Sequence, residues 1–369
     1  MFQSSERSLI LFIFQLPPPV HGVAMVNQRI QNSAIINETF QCEYINLTGA
    51  NSINDIDRFQ PDKVIKGFRV YWQTLKALVL SSVHLVYITP SPKGFSFYRD
   101  VLLILMIKIF RKKIVLHLHG QGMISFAKHW QRWLCEVIFR KTHVIHLSDR
   151  LFEDICFVRS TYVRHTLANG IPDYYKDHQY DGENKLRILF LAALMESKGP
   201  LTLLKAVNIL KEKVQANLEI WLVGNMWKES FQQTLIDYVK EHQLGQVVHF
   251  LGPKFDEDKW AIFSKADLYV LPTEQECFPL TILEAMQFEL PVISTFEGAI
   301  PEIIDDGQTG FLVPAKNPEA LAKKISLFLE NPDLLKTMGV AGRKKFLENY
   351  TLEKFETRLR DMLSEILSS

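Results

Sequence analysis

The sequence predicts an α/β fold of two doubly wound parallel-sheet domains. Apolar runs of strand length alternate with helical patterns in both halves of the chain, as in parallel sheets covered by helices. The turn signal Asn169–Pro172 and the polar stretch Asp173–Lys185 separate the two halves. A chain of 369 residues is also long for a single compact core. We therefore expect two Rossmann-like domains joined by a linker over 173–185.

Each half contains six predicted strands, and the chain ends in a predicted helix. The first domain is predicted over 1–172, the second over 173–350 and the last helix over 351–369. Neither half opens with Gly-x-Gly-x-x-Gly, so a dinucleotide-dependent enzyme has little support. The predicted strands are 8–14, 40–47, 83–90, 113–119, 143–148, 162–168, 185–192, 217–224, 246–252, 267–272, 291–295 and 310–314.

Composition is that of an ordinary globular protein, with 47% hydrophobic and 22% charged residues. The four cysteines show no paired spacing, which is typical of reduced thiols in the cytosol. The apolar run Ser8–Leu16 has no cleavage site and is predicted as a strand rather than a signal peptide. No apolar stretch reaches the roughly 20 residues of a membrane-spanning helix. We expect a cytoplasmic protein.

Charge is distributed unevenly between the halves. Residues 1–172 hold 20 Lys and Arg against 11 Asp and Glu, and the remainder holds 22 against 30. A basic first domain favours an anionic partner. The apolar run Val101–Phe110 ends in Arg111-Lys112-Lys113, which suits either a helix resting on an anionic bilayer at the inner face of the membrane or a sheet-packing helix with a basic end. No nucleic-acid partner is expected, because no binding motif or aromatic–basic interleaving occurs.

The most informative stretch of the chain begins at Asp267. The pattern predicts a strand over 267–272, a polar loop over 273–279, a helix over 280–289 and a second strand over 291–295. Such a crossover joins parallel strands. Because ligands bind at the carboxyl ends of parallel strands, the loop 273–279 is a predicted site.

Two carboxylates give this loop its chemistry, Glu276 within the loop and Glu284 in the helix. The helix entry at Pro279 offers no capping side chain, so its first N–H groups need a partner, and a phosphate suits them. Carboxylates beside an anion-binding helix end fit a nucleotide sugar, which carries hydroxyls next to phosphates. Spacing alone also allows a helix-stabilising Glu and a solvated loop Glu.

The run Glu276-Cys-Phe-Pro-Leu-Thr-Ile-Leu-Glu284-Ala-Met, followed by Gly298-Ala-Ile-Pro-Glu302, resembles the E-x7-E region of retaining GT-B glycosyltransferases. The resemblance is to family 4, whose members build bacterial surface polysaccharides. It implies two Rossmann-like domains facing across a cleft, with a C-terminal helix crossing back to the first domain. It also implies that Glu276 faces the donor sugar and that Glu284 holds the ribose hydroxyls.

Further roles in the second domain follow from the same resemblance. It implies that the backbone of Leu280 and Thr281 meets the donor diphosphate, and that Phe278 also binds the donor. Lys198, in a Lys-Gly pair, would neutralise the diphosphate, whereas the Arg of the family pattern is replaced by Ala192-Ala193. The family also often has Gly at Glu289, a difference interpreted as structural.

In the first domain the resemblance assigns Gly22 to the donor diphosphate and His119 to the neighbourhood of the transferred sugar. His117 and His119 share one face of their strand, which suggests a metal, but no third ligand follows at a recognisable spacing. Three other histidines match no motif and are predicted to be structural: His143, His146 and His165.

These observations lead us to expect a retaining hexosyltransferase that uses a UDP-sugar and a lipid-linked or polysaccharide acceptor. No metal cofactor is expected, because helix N–H groups and Lys198 can balance the diphosphate charge. Two alternatives stay open: a sugar-nucleotide 2-epimerase of the same fold, and a non-catalytic sugar-nucleotide-binding subunit.

Overall fold

The structure is a computed structural model that describes residues 7–47, 61–176, 185–214 and 218–369. The chain forms two compact units. Unit 1 is Met1–Gly170 together with Glu353–Ser369, and unit 2 is Ile171–Leu352. Most of the predicted linker, 177–184, lies outside the described residues. Its first residues belong to unit 2, because Asp173 pairs with Arg343 at 2.6 Å.

Strands and helices alternate along both units. Unit 1 contains β1 Leu9–Phe14, α1 Gly22–Asn32, α2 Ala34–Thr39, β2 Gln41–Asn46, α3 Pro61–Leu80, β3 Val83–Ile88, α4 Gly94–Ile109, β4 Lys113–Leu118, α5 Met123–Phe126, α6 His129–Phe139, β5 His143–His146 and β6 Val163–Thr166. Unit 2 contains β7 Leu186–Leu191, α7 Pro200–Val214, β8 Leu218–Val223, α8 Glu229–Glu241, β9 Val248–Gly252, α9 Asp256–Phe263, β10 Leu268–Leu271, α10 Leu280–Gln287, β11 Val292–Thr295, α11 Ile300–Ile303, β12 Gly310–Val313, α12 Pro318–Glu330 and α13 Asp333–Asn349. The last helix is α14 Leu352–Ser368.

Each unit is built on a six-stranded parallel sheet. The strand order is β2-β1-β3-β4-β5-β6 in unit 1 and β12-β11-β10-β7-β8-β9 in unit 2. Every predicted strand is present, so the predicted α/β fold with two Rossmann-like sheets is confirmed. The strand sequences are near-continuous apolar runs because helices cover both faces of a parallel sheet; all six residues of β1 are buried.

Helix α4 explains the apolar run predicted over Val101–Phe110. Val101, Leu103 and Ile104 are buried in the core of unit 1, so one side of this helix packs on the sheet. None of the helices in the described part of the chain is long and apolar enough to cross a bilayer.

The last helix closes unit 1. It buries Phe355, Leu359, Leu363 and Ile366 on one side, so the helix is amphipathic. The Lys113 ammonium donates hydrogen bonds to the final carbonyls of Ile366 and Leu367, at 2.7 and 3.0 Å. A cation at this position complements the negative end of the helix dipole.

The chain enters and leaves unit 2 along two paired segments. The amide of Ile171 donates to the carbonyl of Tyr350 at 2.9 Å, and the amide of Leu352 donates to the carbonyl of Ile171 at 2.8 Å. Ile171 and Thr351 form a parallel bridge. Both ends of unit 2 are therefore tied together at its boundary.

Candidate functional site

The central strands of unit 2 position the predicted site residues. The strand order reverses between β7 and β10, which are neighbours although β8 and β9 intervene in the sequence. Ligands of open α/β sheets bind at the carboxyl ends of strands at such a switch point. Lys198 follows β7 and Glu276 follows β10, so topology brings together two residues 78 positions apart.

The loops after β7 and β10 are fastened to each other. The Thr273 hydroxyl and the Glu274 amide both donate to the carbonyl of Ser197, at 2.9 and 2.8 Å. Gly199 has a φ of +77°, and a Cβ there would lie 2.0 Å from the Pro272 carbonyl oxygen. The glycine of the Lys198-Gly199 pair is therefore required for the close approach of the two loops.

A second glycine holds the other side of the loop that carries Glu276. Gly298 has a φ of +53°, and a Cβ there would lie 2.2 Å from the Glu276 carbonyl oxygen. The next amide, that of Ala299, donates to the carbonyl of Cys277 at 2.9 Å. Backbone contacts on both sides therefore fix the position of Glu276.

Lys198 and Glu276 form an ion pair between the Nζ and Oε2 atoms. The ammonium also lies 3.4 Å from the carbonyl oxygen of Gln275. Both side chains keep about a fifth of their surface exposed (21% and 19%). Such a partly exposed pair contributes only about 0–1 kcal/mol to stability, so a bound anion could share the lysine at little cost.

Glu284 lies deeper and has one unsatisfied oxygen. Its Oε1 atom accepts from the Lys259 ammonium at 2.8 Å, and its side chain is only 9% exposed. The Oε2 atom is buried and has no hydrogen-bond partner among the described residues. A buried acceptor left unpaired costs about 1–3 kcal/mol, so this oxygen is suited to a ligand hydroxyl.

Lys259 is a residue that the sequence analysis missed. It lies on α9, where its ammonium is also 4.1 Å from the ring centre of Trp260. Salt bridge and aromatic ring together fix this lysine, and the lysine in turn orients the Glu284 carboxylate.

The start of α10 is uncapped, as the sequence predicted. Its N-cap residue is Pro279, which makes no side-chain hydrogen bond to the first turn. Leu280 and Thr281 are the first two residues of the helix. The Tyr269 hydroxyl lies 2.7 Å from Thr281 Oγ1 and 3.0 Å from the Leu191 carbonyl oxygen, which ties the helix start to β7 and β10. Burial raises the pKa of Tyr269, so this link stays uncharged.

Two residues near this helix have structural explanations. The Phe278 ring is buried and packs edge-on against Tyr350, with ring centres 6.3 Å apart. Its side chain therefore contributes packing, and the assignment of Phe278 to donor binding stays a prediction. Glu289 has a φ of +58°, a left-handed conformation that glycine adopts without strain. The structural interpretation of that family difference is confirmed.

Gly22 in unit 1 is the first residue of α1. A Cβ at this position would meet nothing within 4 Å, so no described neighbour requires glycine here. The preceding His21 caps the helix, with its Nδ1 atom accepting from the Ala24 amide at 3.4 Å. Burial lowers the pKa of His21. The contact between Gly22 and a diphosphate stays a prediction.

A histidine cluster lies at the carboxyl end of the unit 1 sheet. The rings of His117 and His119 are 3.9 Å apart, which confirms that both lie on one face of β4. The Tyr87 hydroxyl contacts His117 Nδ1. Burial lowers the pKa of His119 to about 3, and the pKa of His117 falls well below its usual range for the same reason. Both rings are therefore neutral at pH 7.

His146 belongs to the same cluster, whereas the sequence analysis predicted a structural role for it and did not group it with His117 and His119. It ends β5 in register with Leu118 of β4. Its Nδ1 atom accepts from the Leu147 amide at 3.1 Å, and burial lowers its pKa to about 3. The Nε2 atoms of His117, His119 and His146 are all buried without a partner in the described structure. One sequence signal could have grouped these histidines: all three lie at or near the predicted ends of β4 and β5, which are consecutive strands.

The other two histidines pair with each other. The Nδ1 atom of His143 lies 3.1 Å from the Nε2 atom of His165 on the adjacent strand, which agrees with their predicted structural role. Across the described ranges, no group of three or more His, Cys, Asp or Glu side chains is arranged to hold a metal ion.

Asp154 fixes the segment that follows His119. Its carboxylate accepts hydrogen bonds from the amides of Gly122, Met123 and Ile124, at 2.9–3.2 Å. The carboxylate thus satisfies the free N–H groups at the start of α5. No sequence motif indicated this contact.

The family to which this site belongs is given by comparison with known proteins. Residues 176–345, nearly all of unit 2, match the family model described as glycosyl transferases group 1. Most of unit 2 thus matches the group 1 glycosyltransferase family. The resemblance to family 4 enzymes is confirmed, and Lys198, Glu276 and Glu284 all lie within the matched region.

Sequence relatives match at most about half of the chain. WcaL of Salmonella typhimurium, named for colanic acid biosynthesis, is 27% identical over 189 residues, covering 49% of this chain and 45% of WcaL. The human α-1,3/1,6-mannosyltransferase ALG2 is 33% identical over 135 residues, covering 37% of this chain and 32% of ALG2. The matched region thus spans less than half the length of either relative.

A solved structure extends the likeness to both units. Alr3699/HepE of Anabaena, crystallised in complex with UDP, superposes with a TM-score of 0.75 at 16% identity. The match covers 96% of this chain and 99% of that chain. At this identity the likeness supports the GT-B fold of the two units and carries no conclusion about function.

Proposed function

We propose that this protein transfers a hexose from a UDP-sugar to a hydroxyl of a lipid-linked or polysaccharide acceptor, with retention at the anomeric carbon. The observation that carries the proposal is the grouping of Lys198, Glu276 and Glu284 around the uncapped start of α10. Fixed charges of both signs beside free helix N–H groups suit a ligand that combines phosphates with hydroxyls.

Each of these groups has a distinct task in the proposed reaction. Lys198 and the amides of Leu280 and Thr281 stabilise the negative charge that grows on the leaving diphosphate as the glycosidic bond breaks. The unpaired Oε2 atom of Glu284 accepts a hydrogen bond from a ribose hydroxyl. Glu276 is directed to the donor sugar by the resemblance. These groups balance the charge without a metal ion.

The resemblance assigns His119 of unit 1 to the transferred sugar. Its buried, neutral ring supports a hydrogen bond to a sugar hydroxyl rather than a charge interaction, because its pKa is about 3. Its Nε2 atom has no partner among the described residues, which leaves one ring nitrogen for a ligand.

The choice of donor and acceptor rests on relatives. HepE was crystallised with UDP, which favours a UDP-sugar. WcaL is named for the synthesis of colanic acid, which favours a saccharide acceptor on a polymer pathway. Retention rests on the family 4 resemblance alone.

A donor panel tests the proposed activity. The protein is incubated with UDP-, GDP- and ADP-sugars, and released nucleotide and recovered sugar are quantified. A transferase releases nucleotide and leaves the remaining donor unchanged. An epimerase alters the donor sugar, and a binding subunit does neither. Either of the last two outcomes would replace the proposal.

Calorimetry with UDP locates the site. Glu284→Gln should weaken UDP binding, because an amide is a poorer acceptor for the ribose hydroxyl and a poorer partner for Lys259. Glu319→Gln, a change in the first turn of another helix of unit 2, is the matched control. If both variants bind UDP like the wild type, the ribose lies elsewhere. The anomeric configuration of the product, read by NMR, decides retention.

A further inference from the structure

Three helices of unit 1 expose large apolar side chains on their outer sides. On α3, Phe68, Trp72 and Val79 are exposed. At about 100° per residue these three lie within roughly 40° of one another around the helix. They form a stripe opposite Val70 and Ala77, which are buried in the core.

Helix α4 repeats the arrangement. Phe95, Leu102 and Ile109 are 81%, 60% and 77% exposed and are spaced seven residues apart, so they form one line along the helix. The opposite side of α4 packs on the sheet. The two exposed tryptophans of α6, Trp130 and Trp133, complete the set.

These side chains belong to neighbouring helices. The Tyr71 hydroxyl of α3 donates to the Arg99 carbonyl of α4 at 2.8 Å. The Tyr98 ring of α4 stacks on Trp130 of α6, with ring centres 5.1 Å apart. We call the set the apolar face, defined by Phe68, Trp72, Val79, Phe95, Leu102, Ile109, Trp130 and Trp133.

The apolar face is set among positive charge. Residues 61–141 hold 14 Lys and Arg against three Asp and Glu. Two of those carboxylates are occupied within the fold: Asp100 is buried against Arg99, and Glu136 accepts from the amide of Arg159 at 2.7 Å. Exposed Arg69 and Lys76 lie along one side of the stripe on α3. Apolar and aromatic side chains with a basic border match the interface of an anionic bilayer.

We propose that the apolar face docks unit 1 on an anionic lipid bilayer. Charge argues against a second copy of the chain as the occupant. Two symmetric copies would bring the same basic border together, and like charges at an interface repel. A bilayer with anionic headgroups instead neutralises the border while accepting the aromatic side chains. The proposal is independent of the donor chemistry in unit 2.

Vesicle co-sedimentation at low salt provides the main test. The wild type should bind vesicles of phosphatidylcholine with about one-third phosphatidylglycerol, and should bind pure phosphatidylcholine far less. The triple variant Phe95→Ser, Leu102→Ser, Ile109→Ser should lower the partition coefficient at least about tenfold, because three exposed apolar groups no longer enter the interface. The matched control is Ile209→Ser, Val340→Ser, Leu347→Ser, three exposed positions on helices of unit 2.

Tryptophan fluorescence provides an independent measurement. Three of the six tryptophans in the chain lie on the apolar face. Vesicles containing brominated lipid should quench part of the emission of the wild type, and the Trp72→Phe, Trp130→Phe, Trp133→Phe variant should lose most of that quenching. Circular dichroism and UDP calorimetry on each variant establish that it is folded.

The outcomes are distinct. Vesicle binding that the α4 triple variant leaves unchanged would overturn the proposal, as would equal binding to neutral and anionic vesicles. A wild type that self-associates by light scattering, ignores vesicles and becomes monomeric in the triple variant would assign the face to a second copy. Loss of donor turnover with vesicle binding intact would concern the proposed transferase activity alone.

Discussion

The two units have the same sheet architecture but differ in the charge of the polar side chains at their strand ends. In unit 1 the ends of β4 and β5 carry buried histidines whose pKa values are lowered by burial, so they are uncharged. In unit 2 the switch point carries two carboxylates, each paired with a lysine. One fold can therefore present neutral hydrogen-bonding groups in one copy and fixed charges in the other.

The difference has an energetic origin. Removing an isolated charge from water is costly, so a buried imidazole gives up its proton instead. In unit 2, by contrast, each carboxylate has a lysine as its partner. Glu276 forms a partly exposed pair with Lys198, and Glu284 forms a pair with Lys259. A phosphate-bearing ligand thus matches the charged unit 2 site, whereas the histidine cluster suits uncharged hydroxyls.

The largest expected effect is on the pH dependence of stability. His119 and His146 have folded pKa values of about 3 against about 6.5 in the unfolded chain. Below pH 6.5 the unfolded state binds protons that the folded state does not, so stability falls as pH falls. Between pH 7 and pH 5 the two residues together should lower the unfolding free energy by about 4 kcal/mol. Urea unfolding at pH 7, 6 and 5 measures this change.

Two histidine variants check this prediction, one at a buried position and one at an exposed position that serves as the control. His146→Asn should remove about 2 kcal/mol of the pH-dependent change, because one of the buried histidines of the cluster is gone. The matched control is His129→Gln, at an exposed position on α6. A wild-type free energy that is flat from pH 7 to pH 5 would contradict the neutral assignment of the cluster.

The next largest effect is expected at the charged site. Lys198→Ala should lower kcat/KM by at least about 10²-fold, the order seen when one preorganised charge-stabilising group is removed. Lys198→Arg should recover part of the activity, because the positive charge is kept. Recovery should be incomplete, because a planar guanidinium replaces a compact ammonium. Steady-state kinetics with the cognate donor measures both, with exposed Lys205→Ala on α7 as the control. Near-full activity in Lys198→Ala would place the diphosphate elsewhere.

A smaller effect should separate Glu284 from Lys198. Glu284→Ala should raise the donor KM about tenfold and change kcat little, because contacts to the ribose are similar in the ground and transition states. Lys259→Met should shift KM in the same direction, since the carboxylate loses the group that orients it. Initial-rate measurements over a donor series check this split. A fall in kcat without a change in KM would assign Glu284 to the chemical step.

The smallest effect concerns a backbone feature that both units share. A residue just after a helix has a left-handed backbone conformation in each unit: Arg111 in unit 1 and Glu289 in unit 2. Glu289→Gly should stabilise the protein by about 0.5–1 kcal/mol, because glycine adopts this conformation without strain. Lys323→Gly, inside α12, should destabilise it by about 1 kcal/mol. Thermal unfolding compares the two, and destabilisation by both would show that Glu289 makes a contact worth more than its strain.

Local patterns predicted the strands and part of the site. Continuous apolar runs identify buried parallel strands such as β1 without further information. Glu276 and Glu284 were predictable because the loop and helix that carry them are consecutive in the chain. Lys259 and His146 were not, because their partners lie on other elements that only the folded sheet order brings close. The packing of Phe278 against Tyr350 could not be predicted either, because the two residues are distant in sequence.

Unit 2 is inserted into the sequence of unit 1 rather than following it, and Ile171 and Thr351 pair at the two ends of the insertion. Unit 2 is an insertion whose two ends are hydrogen-bonded neighbours, and unit 1 is completed only by the segment that follows unit 2 in the chain. Truncation at Leu352 would thus leave unit 2 with both of its ends paired. The same truncation would uncover the surface on which Phe355 and Leu359 of α14 are buried. In such a chain, unit 1 cannot be complete until all of unit 2 has been synthesised.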